Sequence, residues 1–458
     1  MAGKQGKLGR FLSSGWTIGL SLAFIIAVFL FSRFSPGGFS NVSGQSLAKY
    51  NGRRISFLGW VCAEADRSFN NQRLTVCSGS SRILITTDLR PAYDYGDFLA
   101  VSGYLQAPGM IEDFNYQAYL ARYGIFSLMY YPRLSLAEGG LSFSQTAYRR
   151  LLNFKQSLLG IMEKNLSEPE AGLAAALLLG YRRTISREDT EIFARAGISH
   201  MIAISGSHIT IMGGILMSLA VALGLWKRLR TALVLSFIIF YPVFTGLSAS
   251  AVRASIMGGL SLLALSGTGK RAASGALIIT AALMIAANPR ILGADVGFQL
   301  SFLAVAGLIH LYPHFEALYS KRFKSGKPWF GVCKGILDII SMTIASQIFI
   351  LPVALANFDQ FSLVAPLTNI LILWTFPLIL SLLMLALFLS AILPQFGLAW
   401  FFLPYILLRY VFIVSRSLAD WPGAALPTSG FFWTWGAAYY ALLALFLYWL
   451  GKRRQRII

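Results

Sequence analysis

A polytopic α-helical membrane protein of about ten transmembrane helices, with a small all-β extracytoplasmic domain inserted after the first helix, is the fold class this sequence predicts. Three observations predict it. The 458 residues are 56% hydrophobic and only 13% charged, with a mean hydropathy of +0.63, above the roughly 45–50% apolar content of ordinary soluble domains. Long apolar stretches recur from Ile198 onward. Between Gly44 and Ala137, in contrast, apolar and polar residues alternate in short runs punctuated by turn residues.

Residues 1–43 carry Lys4, Lys7 and Arg10 ahead of an apolar run from Gly15 to Ser32. The run is long enough to span a bilayer and shows no small-x-small cleavage site, so it predicts a retained first helix. Residues 44–138 contain the runs Arg54 to Val61, Arg73 to Val76, Arg82 to Thr86 and Phe98 to Leu105. About five strands in so short a segment suit an OB-like barrel, and a small sandwich would read the same. In residues 139–196, Arg149, Arg150, Lys155, Arg182, Arg183 and Arg187 stand among apolar residues at helical spacing, which predicts amphipathic helices at the membrane surface. Residues 197–458 hold the apolar stretches 198–225, 231–247, 250–267, 272–288, 296–314, 336–357, 364–392, 398–416 and 430–450. Gly, Pro and Ser interrupt several of them, so some spans are expected to be broken or re-entrant.

The formal charge of +20 would suggest a polyanionic partner in a soluble protein. Here cytoplasmic loops explain it more cheaply. The N-terminus, Lys227 to Arg230, Lys270 with Arg271, Lys321 to Lys327, and Lys452 to Arg456 fall on one side if each stretch crosses once. Both termini are then cytoplasmic and the β domain lies outside. Three cysteines are too few for a disulfide framework and lack metal or redox spacing. Cys62 and Cys77 stand at mirrored distances from the turn-like Ser68-Phe69-Asn70-Asn71, so an oxidising exterior would let them pair across a hairpin. Two buried free thiols are the alternative.

The stretch Gly197-Ile-Ser-His-Met-Ile-Ala-Ile-Ser-Gly-Ser-His208 places two histidines and three serines where a membrane helix should be apolar. Such groups are costly in lipid and are functional suspects. On an unbroken helix His200 and His208 would sit about 80° apart beyond two turns, which does not suit metal ligands. The step Ser205-Gly206-Ser207 instead predicts a loosened helix lining a cavity, or close helix packing through small residues. Arg253, inside another apolar stretch, needs a counter-charge, carbonyls or an anionic ligand. Asp295 and Gln299, one turn apart at the start of a later span, are available partners, and Asn369 follows Pro366 near a helix break.

Several enzyme motifs fail. Gly267-Thr-Gly-Lys270 resembles the end of a P-loop, but Ala264 and Arg271 replace the required glycine and hydroxyl residue. HExxH and GxSxG are absent, and His200, His208, His310 and His314 leave little for a metallonuclease. The expectation is a protein that is not an enzyme and uses no metal or cofactor.

At this point the residues resemble a known family, the ComEC competence proteins, membrane channels for imported single-stranded DNA. Phe114-Asn-Tyr-Gln-Ala-Tyr-Leu-Ala-Arg-Tyr-Gly-Ile125 is similar to the family's Phe-x-Tyr-x-x-Tyr-Leu-x-x-x-Gly-Ile signature. His200-Met-Ile-Ala-Ile-Ser-Gly-Ser-His208 is similar to its His-Leu-Leu-Ala-Ile-Ser-Gly-Leu-His, with Ser207 where leucine is usual. Gly246 to Met257 with a Ser-x-x-Arg pattern around Arg253, Asp295-Val-Gly-Phe-Gln-Leu-Ser-Phe302 and Phe361-Ser-Leu-Val-Ala-Pro-Leu-Thr-Asn369 complete the ordered series. Many members carry a C-terminal β-lactamase-like domain; this chain stops soon after Arg456, so a form lacking that domain, with a separate nuclease, is expected.

The resemblance implies translocation of single-stranded DNA across a bacterial cytoplasmic membrane during natural transformation. The OB-like domain would bind the strand, with Arg53, Arg54, Arg82, Tyr93, Tyr95 and Tyr104 as candidates. The pathway would pass His200, Ser205, Gly206, Ser207, His208, Arg253, Asp295, Gln299 and Asn369. An extracytoplasmic DNA receptor and a cytoplasmic helicase-like motor are the implied partners, and the pore could require two copies of the chain. The rival reading is a secondary transporter of a small anionic or lipidic solute built on an Arg253–Asp295 pair. A membrane-anchored scaffold is a third, but ten spans with intramembrane Arg, Asp and His exceed what anchoring needs.

Overall fold

The computed structural model describes residues 20–25, 47–67, 70–110, 116–264, 270–319, 328–358, 360–427 and 433–455. The N-terminal basic cluster, most of the Gly15 to Ser32 run, Ser68 and Phe69, Phe114 and Asn115, Gly267 to Gly269, Lys321 to Lys327, and Arg456 lie outside the described residues. The chain divides into two compact units.

One unit comprises Phe24–Lys164 with Met284–Asp295. Its strands are β1 (Arg54–Val61), β2 (Asp66–Arg67), β3 (Asn71–Ser78), β4 (Ser81–Asp88), β5 (Phe98–Tyr104), β6 (Ile125–Tyr130) and β7 (Arg133–Leu136). Helix α1 (Tyr116–Ala121) precedes β6 and α2 (Phe143–Asn165) follows β7. The strand order is β6-β4-β3-β1-β5-β7, with β2 beside β3. Every pairing is antiparallel except β4 with β6, so the sheet is mixed. An antiparallel bridge between Gln106 and Leu128 links the β5 end of the path back to β6.

Period-two alternation makes these strands and fills their core. Leu74, Val76, Ile83, Ile85, Leu99 and Val101 turn inward and are essentially fully buried. Each such side chain contributes about 1.5–3 kcal/mol on leaving water. Gly79, at φ +56°, begins the tight turn that sets Ser78 opposite Ser81. Two features depart from an all-β expectation. Helix α1 packs Leu120 against Ile125, Leu128 and Leu84. Helix α2, expected at a membrane surface, is held by the β unit: Lys155 reaches Glu64 at 3.0 Å and Arg149 reaches Asp97 at 3.1 Å.

The other unit comprises Met1–Ala23, Asn165–Leu283 and Val296–Ile458. Along the chain the further helices are α3 (Glu170–Leu179), α4 (Arg187–Ala196), α5 (Ser199–Ile202), α6 (Gly206–Ala222), α7 (Lys227–Phe244), α8 (Ala249–Ala264), α9 (Lys270–Ala287) and α10 (Ile291–Ala294). Then follow α11 (Val296–His310), α12 (Tyr312–Tyr319), α13 (Pro328–Asn357), α14 (Ala365–Ile372), α15 (Thr375–Ile392), α16 (Gly397–Ala419) and α17 (Trp433–Gln455). Strands β8 (Gln360–Ser362) and β9 (Ala425–Pro427) pair antiparallel between them.

Among the described residues, Val296–Tyr319, Gly331–Asn357, Thr375–Ile392 and Pro394–Ala419 are long and apolar enough to cross a bilayer. Glu170–Leu179, Gly206–Ala222, Ala272–Ala287 and Trp435–Leu450 are apolar but shorter. The chain is a membrane protein, and the expected count of about ten spans is not reached by these criteria. The physical reason is that an apolar stretch is not yet a helix. The 198–225 stretch breaks at Ala203 to Ser205, and the 364–392 stretch divides between α14 and α15. Helix α3 also departs from expectation: all ten of its residues are buried, so it is an internal helix and not an interfacial one. Its sequence, apolar on every face after Glu170, is the pattern of a helix enclosed by protein.

Candidate functional site

The interior of the helical unit is organised around the break between α5 and α6. Ala203 is extended and Ser205 has φ −129° and ψ 177°, so the chain cannot continue as one helix. Ser205 starts α6 by a reciprocal cap in which its side chain and backbone N–H both meet the His208 ring, at 3.1 Å to Nδ1 in each case. The Ser205 and Ser207 hydroxyls lie 2.7 Å apart. His208 is fully buried, edge-on to Phe376 of α15 with ring centroids 4.7 Å apart. Its Nε2 has no hydrogen-bond partner among the described residues.

Helix α8 packs directly on this break. The Ser250 hydroxyl donates to the Ile204 carbonyl, and a Cβ placed on Gly206 would touch Ala254 at 3.7 Å. Arg253, on the same turn of α8, is 7% exposed. Its guanidinium lies over the Phe302 ring at 5.8 Å and approaches the Met257 sulfur at 4.0 Å, and its Nε has no partner among the described residues. Phe302 stands one turn beyond Gln299 on α11. On α14, Asn369 is 5% exposed; its amide donates to the Thr343 hydroxyl of α13 at 3.0 Å, while its Oδ1 has no partner among the described residues. An unsatisfied buried polar atom typically costs about 1–3 kcal/mol, and His208, Arg253 and Asn369 are among several residues of this unit that carry one.

Of the residues singled out from sequence, Ser205, Gly206, Ser207, His208 and Arg253 therefore lie on elements in mutual contact. His200 sits on α5, before the break, close enough to His208 for the two rings to interact electrostatically. The expected pairing of Arg253 with Asp295 is replaced by another. Asp295 belongs to the β-containing unit and binds Arg122 at 2.8 Å, with both side chains largely buried. Arg122 is held by the rings of Tyr119 at 4.2 Å and Tyr123 at 4.6 Å. Asn288 donates to the Arg122 carbonyl at 3.0 Å and Arg290 to the Ala121 carbonyl at 2.8 Å. Burial beside Tyr119 pushes the Tyr123 phenol up to about 12. Two motifs far apart in sequence thus form one cluster, which local spacing could not reveal.

In the β unit, two proposed base-stacking residues are misassigned. Tyr93 is 5% exposed and Tyr95 8%, and burial raises the pKa of both phenols. The cause is specific. Buried Gln72 donates to the Asp88 and Pro91 carbonyls and accepts from the Tyr93 N–H, which turns Tyr93 into the core of the β unit. Tyr95 is packed edge-on between Trp60 and Tyr148 of α2. Arg53, Arg54 and Tyr104 are exposed, and Arg82 is exposed but donates to the Tyr123 carbonyl at 3.0 Å. Cys62 and Cys77 form a disulfide with Cα atoms 5.7 Å apart.

Sequence reasoning missed two ion pairs of the helical unit. Arg409 of α16 reaches the fully buried Glu170 at 3.0 Å, and Arg416, two turns on, reaches Asp189 at 3.2 Å. The signal was present, because arginines seven apart inside an apolar stretch share one helix face.

Against known proteins, the competence protein family model matches residues 177–453, more than half of the chain. The ComE operon protein 3 of Bacillus subtilis (strain 168) is 26% identical over 265 residues, which cover 52% of this chain and 32% of that relative. The match therefore spans about a third of the relative's length. No solved structure matches. The matched region contains the broken α5–α6 segment, Arg253, Asn369 and all four long apolar helices, and the chain belongs to the competence protein family.

Proposed function

We propose that this protein takes part in DNA uptake as a channel that passes single-stranded DNA across the cytoplasmic membrane of a bacterium. The observation that carries the reading is the buried guanidinium of Arg253, without a carboxylate partner among the described residues, beside a helix break in the competence-family region. A cation kept at such cost suits a polyanion passing in steps. The broken segment offers Ser205 and Ser207 hydroxyls next to it, and irregular backbone at membrane depth is tolerated where it lines a passage.

The β unit is read as OB-like: β1, β3, β4, β5 and β6 supply five strands with one parallel pairing and a closing bridge. It is assigned to the exterior, with both chain termini cytoplasmic, on the distribution of basic clusters. The disulfide supports an oxidising side. In this reading the protein is not itself an enzyme. Receptor and motor functions fall to other proteins, and about ten membrane segments remain the working topology. Uptake of labelled DNA tests the reading in cells lacking the chain and in cells carrying Arg253→Ala, with surface-bound DNA scored in parallel. Lost entry with binding retained, at normal protein level, is the expected result. Unchanged entry in the deletion strain would refute it and favour the transport of a small anionic solute.

A further inference from the structure

A groove of about 440 Å³ lies on the outer face of β1, β5 and β7. The strand register lays out its floor in rows. Ser56 faces Ser102, their hydroxyls 2.8 Å apart, and Ser102 faces Arg133. In the next row Leu58 faces Ala100, which faces Ser135; in the row before, Arg54 faces Tyr104. Small side chains thus pave the centre, while Arg54 and Arg133 stand on opposite flanks roughly 12 Å apart by ladder geometry. Tyr104, 53% exposed, stands opposite Arg54 in the row next to the groove. Among the described residues no carboxylate pairs with Arg53, Arg54 or Arg133.

OB barrels commonly bind oligonucleotides on the face of their second and third strands, which correspond here to β3 and β4. Part of that face is covered, although Arg73 and Arg82 remain exposed. Leu84 of β4 packs against the cluster that Leu120 of α1 forms with Ile125 and Leu128, and Arg82 donates to the Tyr123 carbonyl. The β1–β5–β7 face carries Arg54 and Arg133 without carboxylate partners among the described residues, together with an exposed ring.

We propose that this groove is the single-stranded DNA site of the domain. Arg54 and Arg133 hold phosphates on either side of the serine and alanine floor, and Tyr104 stacks a base. The ligand is single-stranded because a ring can stack only on a base that a duplex would keep enclosed. The inference rests on the DNA reading above and adds to it the face, the residue Arg133 and the division of roles.

The test is fluorescence anisotropy of labelled oligo-dT with the full chain in nanodiscs of zwitterionic lipid, across a salt series. Arg54→Ser with Arg133→Ser is expected to weaken binding at least about tenfold and to flatten the dependence of log K on log salt by about 1.4, near 0.7 per phosphate contact. Tyr104→Ala should weaken binding about tenfold with the slope unchanged, and Arg90→Ser, at an exposed arginine outside the groove, should bind like the parent protein. All four residues are exposed, so matching melting temperatures verify folding. If the parent binds and the groove variants bind equally well, the groove assignment is wrong while the DNA reading stands. If the parent fails to bind even at low salt, the DNA reading of this domain fails and takes the groove with it.

Discussion

Glu170 and Arg409 show how unequal the two halves of an ion pair can be. The Glu170 side chain is 1% exposed, whereas that of Arg409 is 52% exposed. Removing the arginine leaves a carboxylate buried without its counter-charge, a change that typically costs about 3–5 kcal/mol. Glu170→Gln keeps the shape and removes the charge that needs compensating. Arg409→Ala is therefore expected to lower the melting temperature of the detergent-solubilised protein far more than Glu170→Gln; equal losses would contradict the burial argument. At Arg122 the fixed planar cation is gripped by Asp295 and two tyrosine rings, so Arg122→Lys should destabilise measurably, because an ammonium cannot reproduce both contacts. These partners also show why single residues were unevenly legible. His208 and Arg253 announced themselves as polar groups in apolar runs. Asp295 was equally visible but its partner lies 173 positions earlier in the chain, and no periodicity carries that distance.

At the scale of elements, the strands could be read from alternation, and their partners could not. The runs at Arg54, Arg82 and Phe98 became β1, β4 and β5, yet the parallel β4–β6 pairing and α1 were not foreseen. Tyr93 and Tyr95 were misjudged because they occupy the connection between β4 and β5, where alternation says nothing; the Gln72 clamp turns Tyr93 inward and Trp60 with Tyr148 enclose Tyr95. The Cys62–Cys77 link ties the end of β1 to β3 across a separation of 15 residues. Closing a loop of that size is worth about 3 kcal/mol. Cys62→Ser with Cys77→Ser should cost about that much, read by thermal unfolding of the β unit's signal. Thiol titration of the native protein should find Cys333 alone, and reduction should expose all three cysteines. Among the helices, α6 depends on its cap. Ser205→Ala should cost about 1 kcal/mol, and a larger loss of uptake than of stability would tie the break to passage of the strand.

Across the whole molecule, composition was enough to identify a membrane protein, and the order of five motifs was enough to indicate its family. Helix ends inside the apolar stretches were not legible, because hydropathy measures how apolar a stretch is and cannot see where a serine, glycine or proline ends a helix inside it. The central claim is that a DNA strand passes the α5–α6 break. Site-specific photocrosslinking during uptake tests it most directly, with a photoreactive residue at exposed Ser207 and, for comparison, at exposed Phe388 on α15. The account predicts that incoming single-stranded DNA is captured at Ser207 and not at Phe388. Continued uptake with no capture at Ser207 would contradict it, because the strand would then cross by another route.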